Sequence, residues 1–278
     1  MTDSILFSFN VKLPSSDIEH KVDVVKRITP PKSKFNGQKI MHPFKTELKK
    51  EGKINNIHYT HEFASDEHQK LLSESTRFDI KHDGSCGALV WDGEKYIPYA
   101  RFDIKKNKTG TFETPKTDTS KWIPCEQQPI DDLATHWPHF RPCSEDKNAY
   151  KWYIQAYIGA SEFISKMTSD VYGDIVTIEY MGKKFNGKPS DPVEKEVGIV
   201  LHGLLGMNIP SELKNSNGFK AIFEALPVIE GLVAYPNETD PMKIRAEMFE
   251  GLSWGNSPPD FTIKYGHSGK GLSNEVII

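Results

Sequence analysis

The central part of the chain has the alternating apolar and polar positions of β-strands, interrupted by short turn signals. Phe78 and Ile80 alternate with polar residues, and the apolar segments 88–91 and 96–99 follow. Asp83-Gly84 and Asp92-Gly93 separate these three segments, and Asp-Gly pairs are typical of tight turns between strands. We therefore predict a meander of antiparallel strands over residues 77–99.

Similar patterns continue on both sides of this meander. Four further strands are predicted, at residues 175–180, 198–202, 230–235 and 242–246. Helices are predicted at 65–75 and 218–226, whereas 150–167 fits either a helix or a strand followed by a helix. Residues 1–60 are interpreted as a lead-in of strands and loops. Many strands, few helices and no strand–helix alternation predict an α+β fold built on antiparallel sheet.

The composition fits one globular domain that spans residues 1–278. The chain is 37% hydrophobic and 26% charged, and 15 Phe, 10 Tyr and 5 Trp supply bulky core material. Lys and Arg number 35 against 38 Asp and Glu, which gives a net charge of −3. This balance excludes a uniformly basic nucleic-acid coat but allows a local basic groove.

Three other classes of protein are disfavoured by simple patterns. No apolar run approaches the roughly 20 residues of a membrane helix, and the first seven residues lack the features of a secretory signal. Cys86, Cys125 and Cys143 are an odd and sparse set, unlike a disulfide framework. We therefore expect no membrane partner and a cytoplasmic or other reducing intracellular compartment. No heptad pattern is evident, so a monomer is expected.

Five short motifs follow one another on the predicted strands and turns. The first is Lys81-His82-Asp83-Gly84, in which the glycine permits a tight turn that presents the lysine. Arg101 comes next, then Glu179 within a β-branched segment. The series ends with Glu230-Gly231-Leu232-Val233 and Lys243-Ile244-Arg245. Each motif is weak alone, but five in order on predicted strands form a specific set.

This ordered series resembles the motifs of the covalent nucleotidyltransferases, which include ATP-dependent nucleic-acid ligases and RNA capping enzymes. A narrower likeness is to the vertebrate-type 5′-3′ RNA ligase 1 family. It is carried by Lys81-His82-Asp83-Gly84-Ser85-Cys86, Ala100-Arg101-Phe102-Asp103 with Lys106-Asn107-Lys108, Trp122-Ile123-Pro124 and Ile229-Glu230-Gly231-Leu232-Val233. The likeness covers a motif-bearing core of roughly residues 75–255, and neither the lead-in nor the short tail at 256–278 is matched.

The resemblance implies an antiparallel-sheet-rich, ATP-grasp-like adenylyltransferase domain. Such an enzyme joins RNA 5′-phosphate and 3′-hydroxyl ends through lysyl-AMP and adenylylated-RNA intermediates. The implied catalytic residues are Lys81, as the nucleophile, with Asp83, Glu230 and Lys243. The residues implied to bind ATP are Lys81, Arg101, Glu179, Glu230, Lys243 and Arg245. Asp83, Glu179 and Glu230 would hold Mg²⁺ or Mn²⁺ through its waters, since magnesium is a hard ion that keeps several of them.

The chemistry of lysine adenylylation accounts for these residue types. Only a neutral amine can attack the α-phosphorus of ATP, and neighbouring cations favour the neutral form of a lysine. Arg101, Lys243 and Arg245 are the expected neighbours of Lys81. The same cations would stabilise the charge that develops on the phosphates in the transition state.

Two positions depart from the pattern of the family. Arg245 stands where many ligases have lysine, and arginine differs because it binds bidentately. No clear aromatic residue follows Glu179 to stack on adenine, and Ile199 and His202 are the candidates for that role.

Two groups of lysines are candidates for contacts with RNA phosphates. The first follows Arg101 and consists of Lys105, Lys106 and Lys108. The second surrounds a turn predicted at Asn186-Gly187 and consists of Lys183, Lys184 and Lys188. For the second group the alternative is an exposed turn that lysines keep soluble.

Three alternative functions remain open. A capping guanylyltransferase and a DNA ligase share the chemistry, and a catalytically silent RNA-end-binding protein would keep only the fold. Capping enzymes and DNA ligases normally append a five-stranded OB-fold after the last motif. Only 33 residues follow Arg245 (246–278), so no C-terminal OB-fold is expected and the RNA ligase is favoured.

Overall fold

The structure is a computed structural model of the 278-residue chain. It describes residues 3–14, 16–27, 35–51, 54–113, 118–129, 135–185, 197–236 and 240–252, and the short strands at 263–264 and 276–277. The turn predicted at Asn186-Gly187, Lys188 with it, and most of the predicted tail lie outside the described residues.

Strands dominate the described part of the chain. They are β1 (Ser4–Lys12), β2 (Glu19–Lys26), β3 (Phe44–Glu51), β4 (Ile54–Phe63), β5 (Arg77–Lys81), β6 (Ser85–Trp91), β7 (Tyr96–Lys105), β8 (Ile123–Pro124), β9 (His136–Pro142), β10 (Ile175–Met181), β11 (Gly198–Leu201), β12 (Leu205–Asn208), β13 (Gly231–Tyr235), β14 (Met242–Arg245), β15 (Ile263–Lys264) and β16 (Val276–Ile277). The strand segments predicted from the sequence are confirmed to within a few residues.

The helices are short. They are α1 (Asp66–Glu74), α2 (Lys151–Gly159), α3 (Ser161–Ile164), α4 (Ser169–Tyr172) and α5 (Ser216–Ala225), with 3₁₀ turns at Cys143–Glu145, Ser211–Leu213 and Ala246–Met248. The predicted helices at 65–75 and 218–226 are confirmed, and the ambiguous segment 150–167 is helical. Within the described ranges, no helix is long and apolar enough to cross a membrane. The fold is mixed α+β with mostly antiparallel sheets and few helices, as predicted.

Two six-stranded sheets form the body of the fold. The first sheet has the order β1-β2-β12-β5-β13-β14, and the second has the order β11-β10-β6-β7-β9-β8. All pairs within both sheets are antiparallel. Strands β3 and β4 form a separate antiparallel hairpin, and β15 pairs with β16 in parallel.

The predicted meander over residues 77–99 is wrong in one respect. Strands β6 and β7 pair across Asp92-Gly93 as expected, but β5 pairs with β12 and β13 in the other sheet. Asp83-Gly84 therefore carries the chain from the first sheet to the second instead of reversing it within one sheet.

Separate hydrophobic cores explain why β5 and β6 part. The first core contains Phe78 and Ile80 of β5, together with Phe219 and Phe223 of α5. The second core contains Leu89 of β6 and residues of α2, α3 and β10. Because the apolar side chains of the two strands are buried in different cores, the two strands belong to different sheets.

Candidate active site

A cavity of about 540 Å³ lies between the two sheets and is lined by residues of both. This volume is within the usual range of small-molecule sites. The seven site residues predicted from the sequence all line it: Lys81, Asp83, Arg101, Glu179, Glu230, Lys243 and Arg245. Arg101, Lys243 and Arg245, the expected neighbours of Lys81, thus lie around the same cavity as that lysine.

The register of the first sheet brings three of the five motifs together. Gly231 of β13 lies opposite Lys81 of β5 on one side and opposite Arg245 of β14 on the other. A Cβ atom at Gly231 would lie only 2.2 Å from the carbonyl oxygen of Ile244, so the close approach of β14 requires glycine. Glu230, the residue before it, is thereby placed beside both cations.

Glu230 binds the predicted nucleophile directly. The amine of Lys81 donates a hydrogen bond to Glu230 Oε2 at 2.5 Å. Arg245 Nε lies 3.2 Å from the other oxygen, Oε1, in an ion pair that lacks the alignment of a hydrogen bond. Arg245 Nη2 also contacts Glu247 Oε1 at 2.5 Å. These residues form one ionic network, which we call the Glu230 network.

Burial shifts the ionisation of two groups here. Glu230 is 4% exposed, and burial raises the pKa of its carboxyl against the opposing pull of Lys81 and Arg245. Burial also lowers the pKa of Lys243 to about 8, and the positive charges of Lys81 and Arg245 act in the same direction. The site therefore contains a lysine that titrates near physiological pH.

The loop after the nucleophile packs tightly on β10. A Cβ atom at Gly84 would lie 2.3 Å from the carbonyl oxygen of Tyr180 and 2.8 Å from Glu179 Cγ. Glycine is thus required for the loop to reach the second sheet. The approach brings Asp83 to the same wall of the cavity as Glu179.

The second sheet contributes two charged residues, each with a local partner. Glu179 Oε2 lies 3.0 Å from His202 Nε2, so the histidine must carry its proton there to donate to the carboxylate. His202 Nδ1 is buried and has no hydrogen-bond partner among the described residues. Arg101 Nε donates to Asp103 Oδ1 at 3.0 Å.

The donor chemistry of the cavity fits a hard cation held through water. Asp83, Glu179 and Glu230 offer the carboxylate oxygens that Mg²⁺ prefers. Glu230 is already bound to two cations, and no group of three or more potential ligands comes together among the described residues. Asp83, Glu179 and Glu230 are the residues that would hold Mg²⁺ or Mn²⁺, an ion that keeps several of its own waters.

One charged cluster in the cavity was not predicted from the sequence. Asp79 lies two residues before Lys81 on β5, is 2% exposed and lines the cavity. Its carboxylate pairs with Arg27 at 3.3 Å and with Arg77 at 3.0 Å, and burial raises its pKa against both arginines. The sequence contains a signal for this cluster, because Arg77, Asp79 and Lys81 are spaced two residues apart along one strand. Their side chains must therefore lie on the same face of the sheet.

The lead-in contributes a segment that crosses the cavity. Phe35, Gln38, Lys39 and Ile40 line it. Gly37, with φ of 82°, packs so closely on the second sheet that a Cβ atom would lie 2.5 Å from the ring of Phe140. We call residues 35–41 the crossing segment, since its far end reaches the first sheet.

The far end of the crossing segment is tied to β14. The amide of Lys243 donates to the carbonyl of Met41 at 2.8 Å. Tyr59 of β4 supports the same strand, because its hydroxyl donates to the carbonyl of Lys243 at 3.3 Å and accepts from the amide of Arg245 at 3.3 Å. His42 Nδ1 lies 2.5 Å from that hydroxyl. The unmatched lead-in thus holds the strand that carries the last motif.

The remaining candidates from the sequence are distributed differently. Ile199 is 7% exposed in the second core and is not among the described residues that line the cavity. His202 does line the cavity, with Phe35 edge-on at 5.4 Å. Lys105, Lys106 and Lys108 do not line it, and the amine of Lys106 lies 5.3 Å from the centre of the Phe112 ring.

Comparison with known proteins does not assign the site. No protein-family model matches the chain, and a search of curated proteins also found no match. A function for the chain must therefore be argued from the residues of the cavity itself.

Proposed function

We propose that the chain is an ATP-dependent RNA ligase that joins 5′-phosphate and 3′-hydroxyl ends. One observation carries the proposal: five motifs from distant parts of the chain and from two sheets meet around one cavity, where the amine of Lys81 is bound to Glu230. This constellation suits covalent attachment of a nucleotide to lysine.

In the first step Lys81 is the nucleophile. Its nitrogen forms a bond to the α-phosphorus of ATP, the bond from that phosphorus to the pyrophosphate oxygen breaks, and the amine loses a proton. Glu230 is the proton acceptor, because it lies 2.5 Å from the amine. The burial that raises the pKa of Glu230 makes its carboxylate a stronger base.

The cations of the cavity bind the triphosphate. Arg101 approaches from the second sheet, while Lys243 and Arg245 approach from β14. Lys243, with a pKa of about 8, is mostly protonated at neutral pH and keeps its charge for this role. Fixed cations around the phosphates stabilise the transition state without reorganising.

Asp83, Glu179 and Glu230 would hold the divalent ion through water. When bound, Mg²⁺ or Mn²⁺ neutralises phosphate charge and aids departure of pyrophosphate. His202 fixes the Glu179 carboxylate through its hydrogen bond.

Two further steps complete the cycle. The RNA 5′-phosphate attacks the phosphorus of lysyl-AMP, so the bond to Lys81 breaks and a 5′-5′ pyrophosphate forms. The 3′-hydroxyl of the other end then forms the phosphodiester and expels AMP. A reducing intracellular compartment for this activity is part of the proposal, because the three cysteines are an odd and sparse set in the sequence.

The test is a covalent labelling experiment. We expect α-labelled ATP and Mg²⁺ to give an adduct that survives denaturation, and mass spectrometry to locate one AMP on Lys81. Lys81→Ala should form no adduct, whereas Lys70→Ala, on the exposed face of α1, should label normally. Ligation of 5′-phosphorylated RNA should require the same lysine.

Other outcomes would point to the alternative functions. Labelling from GTP alone would indicate a capping guanylyltransferase, and joining of DNA in preference to RNA would indicate a DNA ligase. An RNA-end-binding protein that forms no adduct would be a silent relative. An adduct that persists in Lys81→Ala would refute the assignment of the nucleophile.

A further inference from the structure

A pair of lysines shares one tryptophan ring outside the cavity. Lys151 and Trp152 begin α2, and Lys184 lies in the turn after β10. The amines of Lys151 and Lys184 lie 4.8 Å and 4.9 Å from the centre of the Trp152 ring. Both lysines are exposed and the indole is half-buried. We call these three residues the Trp152 cluster.

The Trp152 cluster lies beside the loop that follows the nucleophile. Tyr153, the next residue of α2, packs its ring 4.7 Å from Tyr180 and 4.8 Å from Phe185, which follows Lys184. Tyr153 also hydrogen-bonds the side chain of Ser85. Ser85 comes directly after Asp83-Gly84 and pairs with Tyr180 in the second sheet. The cluster is thus adjacent to the cavity wall, although its residues do not line the cavity.

The cluster concentrates positive charge in a chain that is acidic overall. The two amines are less than about 10 Å apart. This distance is near one Debye length at physiological salt, so salt screens the two charges from each other only in part. The two charges therefore repel each other, and together they attract an anion. Lys147 and Lys183 are exposed close by in sequence. The ring holds each amine by a cation–π contact and thereby keeps the pair together.

The acidic residues that precede α2 are engaged elsewhere. Glu145 pairs with Arg141 at 3.0 Å, and Asp146 accepts the amide of Ala149 at 2.9 Å. Arg141 therefore offsets the charge of Glu145, whereas the bond from Ala149 leaves the charge of Asp146 in place.

We propose that the Trp152 cluster binds backbone phosphates of the RNA strand whose 5′ end enters the cavity. The inference rests on the proposed function. Of the substrates of that reaction, RNA is the one too large for a cavity of about 540 Å³, so part of the strand must lie outside it. Lys151 and Lys184 contact phosphates through charge, and these contacts carry no base sequence information. Single-stranded nucleic acid is commonly bound by such cationic and aromatic surfaces.

The test measures binding of a fluorescent, 5′-phosphorylated, single-stranded RNA as a function of NaCl concentration. The variant is Lys151→Gln with Lys184→Gln, which removes two charges and keeps most of each side chain. We expect roughly ten-fold weaker binding at low salt and a log–log salt slope that is smaller by about 1.4, since each lost contact with single-stranded RNA accounts for about 0.7. Formation of the Lys81 adduct with ATP should be unchanged.

The matched control is Lys70→Gln with Lys220→Gln. Lys70 is exposed on α1 and Lys220 is half-buried on α5. Each lies beside a glutamate four residues later, so the control loses the same net charge elsewhere. If the cluster variant and the control have the same salt slope as the unaltered chain, the Trp152 cluster is not an RNA site. Absence of the ATP adduct in the unaltered chain would refute the proposed function. Absence of RNA binding by that chain would refute this inference.

Discussion

The two sheets hold their charged site residues in different ways. In the first sheet Glu230 is 4% exposed and binds both Lys81 and Arg245, and Arg245 binds Glu247 as well. In the second sheet each charge has a single local partner. Glu179 is paired with His202 and Arg101 with Asp103, both at 3.0 Å.

The difference indicates which charges act as a unit. Removal of Glu230 leaves Lys81 and Arg245 in a partly buried site with no carboxylate between them. Removal of Glu179 takes away only the hydrogen-bond partner of His202. Under the proposed function, the coupled charges of the first sheet would serve the covalent step, and the second sheet would hold the nucleotide.

The largest expected effect comes from the two carboxylates. Glu230→Gln should slow adduct formation by about 10²- to 10⁴-fold, because it removes the base beside Lys81. It should also lower the free energy of unfolding by about 2 kcal/mol. This loss is smaller than for a fully buried pair, because Lys81 and Arg245 are partly exposed and burial already disfavours the charged carboxylate.

The matched variant in the second sheet is Glu179→Gln. It should cost at most about 1 kcal/mol of stability, since one hydrogen bond is altered and no cation is stranded. Single-turnover labelling with ATP and urea unfolding at pH 7 measure the two quantities. Equal losses in stability and rate for the two variants would show that the sheets are not organised differently.

The next largest effect concerns acid stability. His42 lies against the first sheet, and burial, with help from the charges of Lys243 and Arg245, lowers its pKa to about 4. In the unfolded chain a histidine titrates near 6.5. The unfolded state therefore binds more protons between these values, so the stability that neutral His42 contributes is complete above about pH 6.5 and is lost as the pH falls towards 4.

His139 in the second sheet is the comparison. Burial lowers its pKa too, but the carbonyl of Trp137 and the charge of Asp103 oppose that shift. The stability difference between the unaltered chain and His42→Gln should change by about 2–3 kcal/mol between pH 7 and pH 4. The corresponding change for His139→Gln should be smaller. Urea unfolding at both pH values measures each difference, and a larger change for His139→Gln would contradict the assignment.

The motif residues could be predicted from the sequence because their spacing and the two-residue period of a strand are local signals. The sequence pattern predicts that Lys81, Glu230 and Arg245 each lie on or beside a strand. The resemblance implies that these three residues meet at one site. The pairing of β5 with β13 was not predictable in the same way, because the partners are distant in the chain and each strand alone fits several sheets.

The lead-in could not be predicted for a different reason. The crossing segment reaches β14 through a backbone hydrogen bond from Lys243 to Met41, and such a bond leaves no trace in side-chain identity. Tyr59 is an ordinary aromatic residue in its strand pattern. Its position under β14 appears only when β4 is placed beside the 3₁₀ turn at Ala246–Met248.

The smallest expected effect tests whether the lead-in positions the first sheet's last motif. Tyr59→Phe keeps the ring, which is 8% exposed, and removes the hydroxyl that bridges the carbonyl of Lys243 and the amide of Arg245. It should lower stability by about 1 kcal/mol and slow adduct formation roughly ten-fold.

The control is Tyr96→Phe in the second sheet, where the Tyr96 hydroxyl donates to the carbonyl of Gly173. It should lose similar stability and label at the normal rate. If both variants label alike, Tyr59 supports the fold alone; if only Tyr59→Phe is slow, the hydroxyl positions Lys243 and Arg245.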